Sequence, residues 1–228
     1  MSWAEHHEAG AAATFHDRDL DLDLDPGSGR SLWWFEVDRP TLVLGSTQPD
    51  TVLDPDAVER AGVAVVRRRS GGGAVHLEPG GAWWVDVVIP RADPLWDDDV
   101  SRAFLWLGDA WARALADVGT PGTVHRGGLE ATRWARLVCF AGLGPGEVTT
   151  PGPDAHPRKV VGISQRRTRT HARFQCVVHR SFDPWATVGL LALPDADARA
   201  LATSLAAGVA TVPAPVDALR AALLAALP

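Results

Sequence analysis

Residues Arg67–Val75 read Arg-Arg-Arg-Ser-Gly-Gly-Gly-Ala-Val, and three consecutive glycines leave the backbone few options there. A helix through them would carry a heavy entropic cost, and a strand would have no side chains to pack. The stretch therefore reads as a loop, fed by a strand at Val63–Arg67. Its N–H groups can approach a bound group closely, and the arginines before it supply forks suited to a carboxylate or phosphate. It is not a P-loop, because no Gly-Lys-Ser/Thr follows, and His76 breaks the spacing of a dinucleotide fingerprint. A hairpin turn needs only a glycine pair. Three glycines beside three arginines favour a ligand loop.

Around this loop the chain alternates strand-like and helical stretches. Ser31–Val37, Thr41–Leu44 and Ala82–Ile89 are rich in β-branched and aromatic residues and are bounded by turn residues. Asp99–Val118 places Val100, Phe104, Leu107, Trp111, Leu115 and Val118 at helical spacing, with acids at its N-terminus. Further strands are expected near Val124 and at Glu147–Thr150, Lys159–Ser164 and Phe174–His179. The tail beyond Pro184 is leucine- and alanine-rich and helical. The fold class is α+β, a mixed β-sheet flanked by helices. Residues 1–30, with alternating acids and leucines over Asp17–Asp25, read as an acidic, flexible lead-in. Residues 31–182 read as the catalytic domain and 183–228 as a small helical C-terminal extension.

Composition narrows the function. Among 22 lysines and arginines there is one lysine, Lys159, so arginine carries ordinary surface cation duty. An ammonium is a compact charge that a planar guanidinium does not replace, which marks Lys159 as a candidate catalytic residue. A net charge of −6 argues against generic nucleic-acid or membrane-surface binding. No apolar run reaches a membrane span, and no secretory signal pattern opens the chain. The two cysteines, Cys139 and Cys176, have no metal-ligand spacing, and a reduced, cytoplasmic protein is expected. Cys139 follows an apolar Leu137-Val138 strand and precedes Ala-Gly-Leu-Gly-Pro-Gly, so its thiol is either exposed at a cleft or a small buried hydrophobe. Cys176, in Phe-Gln-Cys-Val-Val, reads as core. The histidines show no metal spacing.

Taken together, Arg67–Val75, the Gly45-x-x-Gln48 turn and Lys159-Val-Val-Gly162 resemble the biotin/lipoate A/B protein ligase superfamily, in order and at plausible intervals. The likeness covers about residues 42–178. It implies a class II aminoacyl-tRNA synthetase/biotinyl-lipoyl ligase-like catalytic domain, with Lys159 catalytic. It also implies a substrate site at Arg67, Arg68, Ser70, Gly71, Gly72, Gly73, Ala74, Val75, His76, Gly162, Ser164 and Gln165. Ile163–Arg167, Gln175 and a cysteine some twenty residues before the lysine resemble the cysteine-dependent branch of octanoyltransferases and lipoyl amidotransferases. That branch implies Cys139 as acyl carrier, Trp83 and Val85 walling an acyl tunnel, and no cofactor. Its acceptors would be lipoyl domains of the glycine cleavage H protein or a 2-oxoacid dehydrogenase E2, and its donors would include acyl carrier protein. Arg166, Arg167, Arg169 and Arg173 are expected as a basic docking rim. The rival readings are ATP- and Mg-dependent lipoate ligation through an acyl-adenylate, and an inactive acyl-binding or scaffold member. Gln175-Cys176 and His76-Leu77 stand where many relatives carry His-Gly and Tyr-His.

Overall fold

The computed structural model describes residues 3–18, 29–153 and 156–228. Strand β1 (Ala4–Gly10) and helix α1 (Ala12–Asp17) come first, then β2 (Ser31–Val37), β3 (Thr41–Leu44), α2 (Pro55–Ala61), β4 (Ala64–Arg67), β5 (Val75–Leu77) and β6 (Ala82–Pro90). Helix α3 (Leu105–Asp117) leads to the short β7 (Thr123–Val124), β8 (Glu130–Ala131) and β9 (Gly142–Leu143). The chain ends with β10 (Val148–Pro151), β11 (Pro157–Arg167), β12 (His171–His179), α4 (Pro184–Val188), α5 (Asp195–Gly208) and α6 (Val216–Ala226). No helix among the described residues is long and apolar enough to cross a membrane.

A seven-stranded sheet in the order β1-β2-β6-β12-β11-β10-β7 forms the frame, and a smaller sheet, β4-β3-β5, faces it. The large sheet is mixed: β1 runs parallel to β2, and the other neighbours are antiparallel. This is the α+β, helix-flanked mixed sheet expected from the sequence. Side chains alternate across each strand. On β6, Trp83, Val85, Val87 and Ile89 pack with Leu107, Trp111 and Leu115 of α3 and Leu219 and Leu223 of α6. Trp84 and Val88 point the other way, into a second core with Val43, Val75, Leu77, Phe35 and Phe15. Burial on both faces explains why β6 is an almost unbroken apolar run. Its exception, Asp86, is wholly buried; it accepts a 2.8 Å bond from Trp84 Nε1 and pairs with the Arg173 guanidinium.

Several expectations need correction. The first residues are not a loose lead-in. The chain at 4–10 adds an edge strand to the sheet, and Ala12, Phe15 and His16 of α1 are buried. Phe15 stacks on Phe35 at 4.3 Å, and Arg18 lies over Trp33 at 4.2 Å. Most of the acid–leucine alternation, residues 19–25, lies outside the described residues. The expected boundary at 182/183 is not a gap in packing either, since α6 completes the core under α3 and α5 covers Trp134, Val138 and Phe140. The long helix starts at Leu105, later than the acids suggested. Asp97 Oδ1 accepts from Asp99 N, and Asp99 Oδ1 from Ser101 N and Oγ, so these acids hold turns that compete with the helix.

Because Phe15 belongs to the core, Phe15→Ala is expected to lower the unfolding free energy by about 3 kcal/mol in urea denaturation. A loss below about 0.5 kcal/mol, the scale of surface substitutions, would mean that the N-terminal segment is outside the cooperative unit.

Candidate active site

The site begins with an ion pair. Lys159 on β11 and Glu147, just before β10, are both buried, and Lys159 Nζ sits 2.7 Å from Glu147 Oε2. A register shift between β10 and β11 at Val148/Thr149 lies opposite Lys159, where an irregularity can re-aim a side chain. The ammonium also donates to the carbonyls of Cys139 at 3.0 Å and Gly142 at 3.1 Å, which uses all three of its protons. Glu147 accepts in turn from Gly144 N at 2.7 Å and Ile163 N at 3.0 Å. Lys159 is thus neither on a solvated edge nor free. It clamps the turn that holds Cys139 onto the sheet.

That turn differs from the strand exit expected. Cys139–Ala141 is a single 3-10 turn, entered through a parallel bridge between Ala74 and Val138. Cys139 N donates to Ala74 O at 3.0 Å, and Ala74 N to Leu137 O at 2.8 Å, so the glycine loop and the cysteine segment are laced together. Glycine is needed for this closeness: a Cβ on Gly73 would lie 2.7–2.8 Å from the backbone of Val138 and Cys139. A Cβ on Gly45 would lie 1.9 Å from Gly72 O. Gln48 completes the lacing by accepting from Gly45 N and donating to the Arg136 and Leu137 carbonyls.

The arginines before the loop organise it. Arg68 is buried and donates to Gly71 O at 2.7 Å and Gly73 O at 2.9 Å. Burial lowers its proton affinity, while interaction with the Cys139 thiol and the Glu147 charge acts the other way. The cation beside the Cys139 sulfur is therefore Arg68, and Lys159 holds the backbone of the same residue. Arg67 bonds Gly45 O and Asp50.

Two spaces meet at Cys139. One is a small apolar pocket lined by Val43, Val75, Leu77, Trp84, Phe140 and Val177, with Arg68, Ser164, Gln175 and His16 at its margins. The other is an open cleft of about 620 Å³ lined by Gln48, Gly71, Gly72, Gly73, Arg136, Gly142, Glu147 and Lys159. Cys139, Ile163 and Ser164 line both. Gly162 lies under Phe140, whose ring a Cβ would approach to 3.1 Å. A polar chain links three of the lining residues through Ser70: Ser164 Oγ to Ser70 Oγ at 3.0 Å, Ser70 Oγ to Gln175 Oε1 at 2.9 Å, and Gln175 Nε2 to His16 Nδ1 at 3.2 Å.

Of the residues expected from sequence, Cys139, Lys159, Arg68, Ser70, Gly71, Gly72, Gly73, Ala74, Val75, Gly162 and Ser164 are gathered here. His76 is not: on β5 it alternates with Val75 and Leu77 and faces Glu78 and His179 on the far side. Gln165 likewise alternates away from Ser164 and accepts from Arg167 Nε. Trp83 and Val85 face α3 rather than the pocket, which Trp84 lines instead. The basic rim is reduced, because Arg173 is buried against Asp86 and Arg167 is held by the Asp97 carbonyl and the Trp96 ring. Cys176 is fully buried, and burial pushes its thiol pKa up. Sequence reasoning passed over Glu147, His16 and Phe140. Glu147 left one signal, as the sole acid between Glu130 and Asp154.

A model of the family described as lipoyl protein ligase A/B catalytic domain matches residues 21–226. The chain is similar to an octanoyltransferase LipM of Moorella thermoacetica, 32% identical over 156 residues. That alignment covers 65% of this chain and 54% of the relative, so the chain spans about half the length of the curated relative it matches. In fold it is similar to a bi-partite lipoate protein ligase from Thermoplasma acidophilum, described with its E2 lipoyl domain (TM-score 0.78, 19% identity, 99% of this chain and 82% of that one). It is likewise similar to a lipoate-protein ligase A bound with ATP (TM-score 0.72, 18% identity, 99% and 84%).

Two outcomes follow from this geometry. Glu147→Gln leaves a buried ammonium without its counter-charge, so it should destabilise the protein by about 3 kcal/mol or more in denaturant. Equal stability would mean that the pair does not hold the turn. The second concerns pH. Burial lowers the pKa of His16 to about 3, helped by Arg173 and Arg68, and burial lowers that of His179 to about 3, helped by His76 and Lys159. Both imidazoles bind a proton less readily folded than unfolded, so their stabilising share is complete above pH 6.5 and lost as pH falls towards 3. Each should add a slope of up to about 1.4 kcal/mol per pH unit in that window. His179→Gln should flatten the slope, and an unchanged slope would contradict the assignment.

Proposed function

The chain belongs to the lipoyl protein ligase A/B catalytic domain family, and from that premise we propose that it transfers an octanoyl or lipoyl group to the acceptor lysine of a lipoyl domain, with Cys139 carrying the acyl group. The observation that carries the reading is that Cys139 lines both spaces at once. An acyl chain can then lie in the apolar pocket while its carbonyl faces the cleft, where a second substrate approaches. The similarity to an octanoyltransferase supports the same chemistry.

In the first step the Cys139 sulfur attacks the carbonyl of an acyl thioester. The new C–S bond forms, the bond to the carrier sulfur breaks, and the carrier leaves as its thiol, taking the Cys139 proton. With an H protein as donor the attacked carbonyl is that of its acyl-lysine amide, the C–N bond breaks, and the lysine leaves as its amine with that proton. In the second step the ε-amine of the acceptor attacks the Cys139 thioester, an amide forms, and the Cys139 thiol is regenerated. Splitting the transfer this way replaces one hard step by two easier ones. Arg68 balances the charge on the sulfur as each bond breaks. Lys159 fixes the carbonyl of Cys139 and so the position of the nucleophile. Gly71–Gly73 line the cleft, and in this reading their N–H groups donate to the carbonyl oxygen, where charge develops in the transition state.

The donor is an octanoyl carrier protein or a glycine cleavage H protein. The acceptor is an H protein or an E2 lipoyl domain, and the setting is cytoplasmic. The transfer needs no cofactor. ATP and Mg belong to the ligase reading. Among the described residues Glu147 is the single carboxylate lining the cleft, and it is paired with Lys159.

The test is intact mass after incubation with an octanoylated carrier. One octanoyl mass is expected, removable by hydroxylamine, absent in Cys139→Ser and kept in Cys176→Ser. An adduct that forms only with free octanoate and ATP, and persists in Cys139→Ser, would replace transfer by ligation. No adduct under either condition would leave an acyl-binding member without catalysis.

A further inference from the structure

The apolar pocket is lined in part by a residue outside the stretch matched by the family model. His16 lies on α1, before residue 21, yet it lines the pocket and is 5% exposed. Along β12 the side chains of Arg173, Gln175 and Val177 share the pocket face, each pair about 6.6 Å apart. Arg173 donates to Phe15 O and Gln175 to His16 Nδ1, so α1 sits over the Arg173–Gln175 end. Cys139 packs, as Val177 does, into both the pocket-side core and the core under α5. His16 and the proposed nucleophile therefore stand towards different ends of the pocket.

His16 also has little freedom to yield. Its ring stacks on Trp84 at 4.5 Å, and Gln175 fixes its tilt. Phe15 beside it is locked into the core. Because Gln175 donates through Nε2, His16 Nδ1 accepts and the ring proton sits on Nε2, which is buried without a partner among the described residues. A hydrocarbon chain pushed against that N–H offers no acceptor and cannot relieve the unmet donor. The free space is about 30 Å³, so an entering chain must move lining side chains.

We propose that His16 is a specificity-determining residue that ends the acyl pocket and sets the longest chain it accepts. This rests on the reading of Cys139 as acyl carrier and names the substrate class of that same site: medium-chain acyl groups, cut off where the chain meets the imidazole.

The experiment measures acylation of Cys139 by intact mass, using S-acyl pantetheine thioesters from hexanoyl to tetradecanoyl. The wild-type profile should fall steeply beyond its optimum. His16→Ala should move the optimum towards longer chains by about two carbons, the bulk removed, and His16→Phe should restore the cut-off. Superimposable profiles for wild type and a folded His16→Ala overturn the proposal. Should that variant not fold, the wild-type His16 imidazole resonances decide. They should shift when Cys139 carries octanoyl and stay in place when it carries hexanoyl, and an unmoved signal with octanoyl overturns the proposal. If no thioester loads Cys139 at all, the transferase reading fails, a result distinct from loading that ignores chain length.

Discussion

A buried ammonium is expensive to desolvate, and one left unpaired costs several kcal/mol. Lys159 meets that cost with Glu147 and two carbonyls, and Glu147 meets its own with two backbone N–H groups. These groups belong to the Cys139 turn, the 142–147 loop and β11, so one charge pair ties three segments that share no regular ladder. Without it the Cys139 turn would rest on the bridge to Ala74, the Gln48 bonds to the residues before it and the Thr132 bond to Ala141 O. The position of the thiol, and with it the junction between pocket and cleft, depends on this pair.

The loop of three glycines then has a structural task beside any contact with substrate. Its carbonyls take up the Arg68 guanidinium, and its lack of Cβ atoms lets Gly72 press on Gly45 and Gly73 on Val138. A cation held by neutral carbonyls keeps its charge unspent, which is why Arg68 can act on the Cys139 sulfur next to it. In the same way the lysine secures the backbone of the residue whose side chain the arginine faces.

Much of this was legible in the chain. The strands announced themselves where β-branched and aromatic runs met glycine or proline, as at 31–37 and 82–89. Lys159 and Cys139 stood out as rare residue types in telling places. The N-terminal strand did not, because Ala-Glu-His-His-Glu-Ala-Gly contains no strong β-former and gains its place by pairing with β2. Glu147 and His16 were hidden for another reason. Their roles come from contacts across 12 to 159 positions of sequence, set by sheet register and by where α1 lands. His76 and Gln165 were misplaced by one step of a two-residue alternation, which a motif read as a string does not convey.

In the proposed transfer, a catalyst that holds an activated acyl group on Cys139 risks spending it on itself, since any free amine nearby competes with the intended acceptor. This chain has one lysine, and that lysine is buried with its three protons engaged. Its surface cations are arginines, whose guanidinium stays protonated and is a poor nucleophile. The arginine-for-lysine composition thus leaves no exposed side-chain amine to be acylated in place of the substrate.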